Sequence, residues 1–350
     1  MKDIIKKIDG KPSNKIIALL LFILILFVAI GSTFFYNDPI RKFEETRIMM
    51  DTYVTVTIYT GDEKIAIDAI NKAFDRMEEI EQISSIWDEN AEAYSLNLNG
   101  EIINPSDELI NIIKLSKYFS QITNGCFDIT VQPLLDLWTY NPNLENQFWE
   151  LNTSDQLEQI NNTMSLIGSD KIIINQTTSS INFLVENMSI TTGGIAKGFI
   201  VDEGLKILRD MGISHALINA GGDLATIGSK PGSYWNVALE NPRDTTDYIT
   251  RFKISGKSVA TSGNYRRYFN ESENVGHILN PKTGYSAIDC WSVAIISDNC
   301  TYSDALATSV FVMGPNDGIK FINRLDGIEC LIIDSNGDIY RSEGLSEYEY

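Results

Sequence analysis

Residues 189–202 read Ser189-Ile-Thr-Thr-Gly-Gly-Ile-Ala-Lys-Gly-Phe-Ile-Val-Asp202. Extended residues lead into Gly193 and Gly194, and a helical pattern follows with Ile195, Phe199, Leu205 and Leu208 on its buried side. Glycines at such a junction let the backbone approach a ligand closely, and the free N–H groups of a helix start attract anions. Lys197 adds a positive charge beside them. This is not a Walker loop, which needs Gly directly before Lys and a hydroxyl after it. An ordinary strand-to-helix turn with a surface lysine accounts for the same residues, so the stretch alone names no ligand.

Working outward, helices are expected at 62–83, 105–121, 155–165, 303–313 and 316–324, besides the one at 195–211. Residues 50–58 read as a first strand, with further strands at 171–175, 181–185, 215–220, 234–240, 249–254, 258–261, 276–279, 291–297 and 328–334. Residues 84–101 read as a loop. Strands and helices mix without strict βαβ alternation, which favours an α+β fold over a doubly wound sheet.

The formal net charge is −19; the first 35 residues carry five Lys against Asp3 and Asp9, leaving −22 for the rest. So acidic a body repels a phosphate backbone, and nucleic acid is excluded as a partner. Ile16 to Ile30 is an unbroken apolar run, continued to Tyr36. As a helix, at about 1.5 Å per residue, it spans roughly the 30 Å of a bilayer core. Five lysines precede it, which places the globular part outside the cytoplasmic membrane. The expected organisation is a membrane anchor or signal segment over 1–36, a linker over 37–46 and one catalytic domain over 47–350. An uncleaved single-pass anchor is favoured over a cleaved signal segment. Cys126, Cys290, Cys300 and Cys330 form no CxxC pair and read mainly as small core residues.

Asp304 and Thr308 lie four apart, one turn apart on one helix face. A carboxylate with a hydroxyl suits a hard cation such as Mg²⁺, although Ser303 as N-cap and Asp304 as dipole partner would explain the residues equally. His215 enters an apolar strand and reads as structural. His277 stands in Gly276-His-Ile-Leu-Asn-Pro-Lys-Thr-Gly284, at a strand end where a turn is forced. Asn124-Gly-Cys-Phe-Asp-Ile-Thr130 puts an aromatic ring and a carboxylate in a turn after a helix. Asp334-Ser-Asn-Gly-Asp338 reads as a hairpin turn, because Leu345 stands where a calcium loop needs Glu.

Eight short motifs occur in order: Met50-Asp-Thr, Ser84-Ser-Ile-Trp87, Gly125-Cys-Phe-Asp128, Gly193-Gly-Ile-Ala-Lys-Gly198, Asn219-Ala-Gly-Gly-Asp223, Ala260-Thr-Ser-Gly263, His277-Ile-Leu-Asn-Pro-Lys-Thr-Gly284 and Asp304-Ala-Leu-Ala-Thr308. Together they resemble the ApbE family of FAD:protein FMN transferases, over about residues 47 to 335. The resemblance implies a T-fold-like α+β architecture with mixed or antiparallel sheets packed with helices. It also implies an enzyme that takes FAD as substrate with Mg²⁺, moves FMN onto a Thr or Ser of a target flavoprotein, and releases AMP. Carried over by position, Met50, Trp87, Cys126, Phe127, Asp128, Thr191, Lys197 and Ile278 would line the FAD site. Asp304, Thr308 and the Gly194 carbonyl would hold the metal, and His277 would be the catalytic histidine.

Thr191 replaces the family's usual Asp, which reshapes contact with the flavin ring; Cys126 stands for a common Ala and Trp87 for a common Tyr. Two other readings stay open. One is a Mg²⁺-dependent FAD pyrophosphatase giving FMN and AMP, and the other is an exported flavin-binding protein without turnover.

Overall fold

A nine-residue strand, β1 (Arg41–Met49), turns at Met50 and Asp51 into β2 (Thr52–Thr60). Both turn residues have positive φ, 51° and 56°, the backbone that matches the twist of a two-residue hairpin. Neither is Gly or Asn, so the turn carries no sequence signal and 50–58 reads as uninterrupted strand. The expected linker over 37–46 is corrected too: from Arg41 onward it is the sheet's first strand.

The computed structural model describes residues 18–19, 21–23, 39–144, 146–264, 268–270 and 275–350. Most of the apolar run at 16–36 lies outside them. Among the described residues no helix is long and apolar enough to cross a membrane.

After β2 come α1 (Glu63–Ser84), α2 (Glu92–Asn99), β3 (Glu101–Ile103), α3 (Asp107–Ile122), α4 (Gln132–Trp138) and α5 (Thr153–Met164). Next are β4 (Ile172–Asn175), β5 (Ser180–Phe183), α6 (Ala196–Asp210), β6 (Ala216–Ala220) and β7 (Asp223–Ile227). β8 (Trp235–Asn241), β9 (Asp244–Ile254), β10 (Ser258–Gly263), β11 (Tyr268–Asn270), β12 (Val275–Gly276) and β13 (Cys290–Ser297) follow. α7 (Cys300–Met313), α8 (Pro315–Ile322), β14 (Glu329–Asp334) and β15 (Ile339–Arg341) complete the fold. α2 occupies part of the segment expected as a loop.

Eight strands form one sheet in the order β1-β2-β6-β7-β10-β13-β14-β15, and its pairings are all antiparallel. Its central strands are covered on both faces, which is why they read as apolar runs rather than alternating ones. In β13, Val293 and Ile295 join a core built with α1, α6 and α7, including Ala69, Phe74, Met77, Ile200 and Leu306. Ala294 and Ile296 face the other way, onto Trp235, Leu239 and Phe252 of the β8–β9 hairpin. The fold is α+β, with antiparallel sheets packed with helices. A smaller cluster of Leu134, Trp138, Phe148, Ile160, Val275 and Leu279 seats the turn after β12 on α4 and α5. Trp138 Nε1 donates to the Gly284 carbonyl at 2.8 Å in that cluster.

Candidate functional site

α6 begins directly after Gly193-Gly194, and its N-cap, Ile195, makes no capping bond through its side chain. The first turn instead leans on α7. Gly198 N donates to Asp304 Oδ2 at 2.9 Å, and a Cβ at Gly198 would stand 2.4 Å from the Cys300 carbonyl oxygen. Only glycine admits that approach. In return Asp202, on α6, accepts from Cys300 N and Thr301 N, each at 2.8 Å, and so helps cap α7. The N-cap of α7 is Asn299, whose side chain accepts from Tyr302 N at 2.9 Å. Ser303, expected in that role, instead bonds Ser258 Oγ at 2.8 Å and Ser297 Oγ at 2.9 Å inside the core.

One turn beyond Asp304, Thr308 Oγ1 lies 3.2 Å from Ser262 Oγ and 3.3 Å from where a Cβ on Gly194 would sit. The same Cβ would stand 3.2 Å from the Phe127 ring. Gly194 therefore packs against both Thr308 and Phe127. Lys197 forms an ion pair with Asp223, at the start of β7. A third of the Lys197 side chain stays open. Burial pulls its ammonium down, but Asp223 and then Asp304 outweigh that and leave its pKa raised. Burial, then the charge of Asp223, push the Asp304 carboxyl up to about 7, against the pull of Lys197 and the Gly198 amide. Asp304 is thus a buried carboxylate that accepts from Gly198 N and lies near the Lys197–Asp223 pair.

The donor set around Asp304 tests the fit to a metal. One buried carboxylate, the hydroxyls of Thr308 and Ser262 and the Gly194 backbone form a hard-oxygen set, which suits Mg²⁺ with its shell completed by water and phosphate. Among the described residues no cluster of three or more His, Cys, Asp or Glu is arranged for a metal, so Asp304 is not part of a larger acidic cluster of that kind.

The expected flavin-side residues form a second group against the first. Thr191 N donates to the Ile129 carbonyl at 2.7 Å, tying the glycine junction to the turn carrying Cys126, Phe127 and Asp128. Thr191 Oγ1 accepts from Gly193 N at 3.3 Å. Asp128 is buried, with Oδ1 accepting from Thr130 and Oδ2 from Ser169 N at 2.9 Å, so it holds the turn together. Cys126 is half-buried, Phe127 and Ile278 are buried. Met50 N donates to Glu81 Oε1 at 2.7 Å, and Thr192 Oγ1 donates to the Ser84 carbonyl at 2.9 Å. These bonds bring the β1–β2 tip and the end of α1 to the same rim. Just past α1, Trp87 is 79% exposed, an aromatic face open to stacking.

His277 is half-buried directly after β12. The Asn264 side chain packs on Gly276, so closely that a Cβ there would fall 2.3 Å from its Cγ. Asn264 lies just beyond the end of β10, so the strand that precedes His277 packs next to that end. Below it, a Cβ at Gly125 would lie 3.8 Å from Lys282 Cε, so the 277–284 turn also reaches the Gly125–Asp128 turn.

Asp223 and Ser262 received no role from the sequence, although their motifs, Asn219-Ala-Gly-Gly-Asp223 and Ala260-Thr-Ser-Gly263, stood out in it. Only pairing of β7 with β10 brings the two motifs together, through Thr261 N donating to Asp223 Oδ1 at 3.2 Å.

A helix start, a lysine–aspartate pair, a buried carboxylate and an aromatic rim thus gather at one end of an antiparallel sheet. Residues 50–332 match the sequence model of the ApbE family, and the chain belongs to that family. A FAD:protein FMN transferase of Klebsiella pneumoniae is 27% identical over 311 residues, 86% of this chain and 92% of the relative. One from Escherichia coli K12 is 24% identical over 301 residues, 84% of each chain. The crystal structure of the ApbE protein from Thermotoga maritima superposes with a TM-score of 0.79 at 30% identity, over 89% of this chain and all of that one. The flavinyl transferase ApbE of Pseudomonas stutzeri, at 21% identity and a TM-score of 0.74, shares the fold.

Proposed function

We propose that the chain transfers FMN from FAD to a Thr or Ser hydroxyl of a target flavoprotein, forming a phosphoester and releasing AMP. The observation that carries this reading is the meeting of the Gly193-Gly194 helix start, Lys197, Asp304 and Thr308 at one end of the sheet. The acceptor oxygen attacks the phosphorus on the FMN side as the P–O–P bond breaks, and AMP leaves with the bonding electrons. Such chemistry depends on positioning and charge neutralisation.

Asp304, Thr308 and the Gly194 carbonyl would hold Mg²⁺, which supplies charge neutralisation to the diphosphate when bound. The amides at the start of α6 and the Lys197 ammonium orient the phosphates and take up growing negative charge. His277 takes the proton from the acceptor hydroxyl, a task matched to an imidazole. Trp87, Met50, Phe127, Cys126, Ile278 and Thr191 enclose the flavin end, and Asp128 shapes the turn that presents Phe127. Residues 16–36 anchor the chain as a single-pass helix with the catalytic domain outside the cytoplasmic membrane, supported by the apolar run and the lysines ahead of it.

The test incubates the full chain with FAD, Mg²⁺ and a candidate FMN-accepting domain, then weighs the acceptor intact. A gain of one FMN less water, matched by AMP, is expected. Equal FMN and AMP with an unchanged acceptor would replace transfer by FAD hydrolysis.

A further inference from the structure

Two buried carboxylates at this site compete for one ammonium. Asp223 is 1% exposed and Asp304 5%, and Lys197 stands close enough to both for each to raise its pKa. Yet the ion pair is with Asp223. The backbone dictates that choice. Gly221 and Gly222 turn β6 into β7 with φ of 64° and 110°, and Gly222 N is fixed by Asn219 Oδ1 at 3.0 Å. A Cβ at Gly221 would fall 2.3 Å from Thr52 Oγ1, so the turn is pressed onto β2 and cannot carry a side chain there. Asp223 leaves that turn with Oδ1 held by Thr261 N and Oδ2 meeting Lys197, with no other hydrogen-bond partner for Oδ2 among the described residues.

We propose that Asp223 is a positioning residue that holds the Lys197 ammonium off Asp304, leaving Asp304 available to a divalent cation. The inference rests on the reading of Asp304 as a metal ligand. A lysine is a compact charge on a flexible four-carbon stem, so its direction is set by whichever anion holds it. Without the charge of Asp223, the remaining anion beside Lys197 is Asp304. A Lys197–Asp304 pair would neutralise the metal ligand and the phosphate-binding cation together. The arrangement therefore separates two opposite charges that the substrate complex needs apart.

The test is a double-mutant cycle on the full chain, with Mn²⁺ alone as probe and electron paramagnetic resonance counting free ion, without FAD. Asp223→Asn keeps the oxygen that accepts from Thr261 N and removes only the charge; Lys197→Met removes the ammonium with little change in bulk. Asp223→Asn is expected to weaken Mn²⁺ binding about tenfold, the scale of one added short-range charge contact at a partly buried site. Lys197→Met should then strengthen binding far more in the Asp223→Asn background than in the parent, with a coupling of about tenfold. If the two substitutions act additively, long-range charge alone explains them and the proposal is overturned. Unchanged binding by folded Asp223→Asn protein, with its melting temperature as the check on folding, overturns it as well. Asp304→Ala separates the failures: if it binds Mn²⁺ like the parent, the metal-ligand reading falls first.

Discussion

His277 and His215 share a side chain but sit at opposite ends of the sheet. His215 Nδ1 lies 2.6 Å from the Ser229 carbonyl oxygen, and the His215 carbonyl accepts from Tyr59 N at 2.9 Å, far from the tips that carry Met50 and Asp223. His277 follows β12, which packs against Asn264 just beyond the end of β10. His277→Ala should lower FMN transfer by roughly 10²–10⁴-fold, the usual weight of general acid–base catalysis, while FAD binding survives. Transfer followed by AMP release, with FAD fluorescence for binding, checks both halves; near-normal turnover would mean another group takes the proton. His215→Ala should lower the melting temperature and leave turnover per folded molecule unchanged. At the proposed metal site, Asp304→Ala should raise the half-saturating Mg²⁺ for AMP release more than Thr308→Ala, since it would remove a charge along with a ligand. The reverse order would move the metal toward Thr308 and Ser262.

Between elements, α6 is the part that everything else aims. Gly198→Ala would drive a Cβ to 2.4 Å from the Cys300 carbonyl oxygen and 2.9 Å from Asp304 Cβ. Because the neighbour is backbone, the helices must separate, and a loss of about 1–3 kcal/mol is expected from overpacking. Urea denaturation measures the loss, and Mg²⁺ dependence should weaken with it as the Gly198–Asp304 bond is strained. Further along, Arg76 on α1 bonds Glu203 on α6 at 2.8 Å and Glu108 on α3 at 2.6 Å, tying three helices. The bond from Arg76, against a smaller opposing effect of burial, holds the Glu108 carboxyl below its ordinary pKa. A depressed folded pKa contributes stability that is present above the unfolded value and is lost as pH falls through the folded one. Arg76→Ala should therefore cost of order 1 kcal/mol near neutral pH, as expected for a partly exposed network. That difference should shrink as pH drops below the ordinary glutamate range. A constant difference across that range would remove the ion pairs as its cause.

Across the molecule, β1 carries the chain from Arg41 at one end of the sheet to Met49 at the other. Nine extended residues cover about 30 Å, so the chain enters the domain at the end remote from Met50, Asp223 and Thr308. The proposed anchor over 16–36 would join the domain at that remote end. Protease added to intact protoplasts should digest the domain, whereas full protection would overturn the extracytoplasmic placement.

What the sequence by itself determined is local. The Gly193-Gly194 junction, the helices at 195–211 and 62–83, and the Asp304–Thr308 spacing follow from periodicity and from glycine's tolerance of close approach, both properties of adjacent residues. The ordered motifs pointed to the family, and through it to residues that contact now joins, such as Gly194 with Phe127 and Thr308. The Met50–Asp51 turn and the Asn299 cap were hidden, because neither uses a residue pattern that distinguishes it from its neighbours. The partnership of Lys197 with Asp223 was decided by tertiary structure alone. It depends on β7 lying between β6 and β10 and on α6 packing across β6 and β7, and no spacing along the chain encodes a contact made by packing a helix on strands paired this way. Which of two carboxylates holds the lysine is settled by where the sheet places Asp223 and where α7 places Asp304.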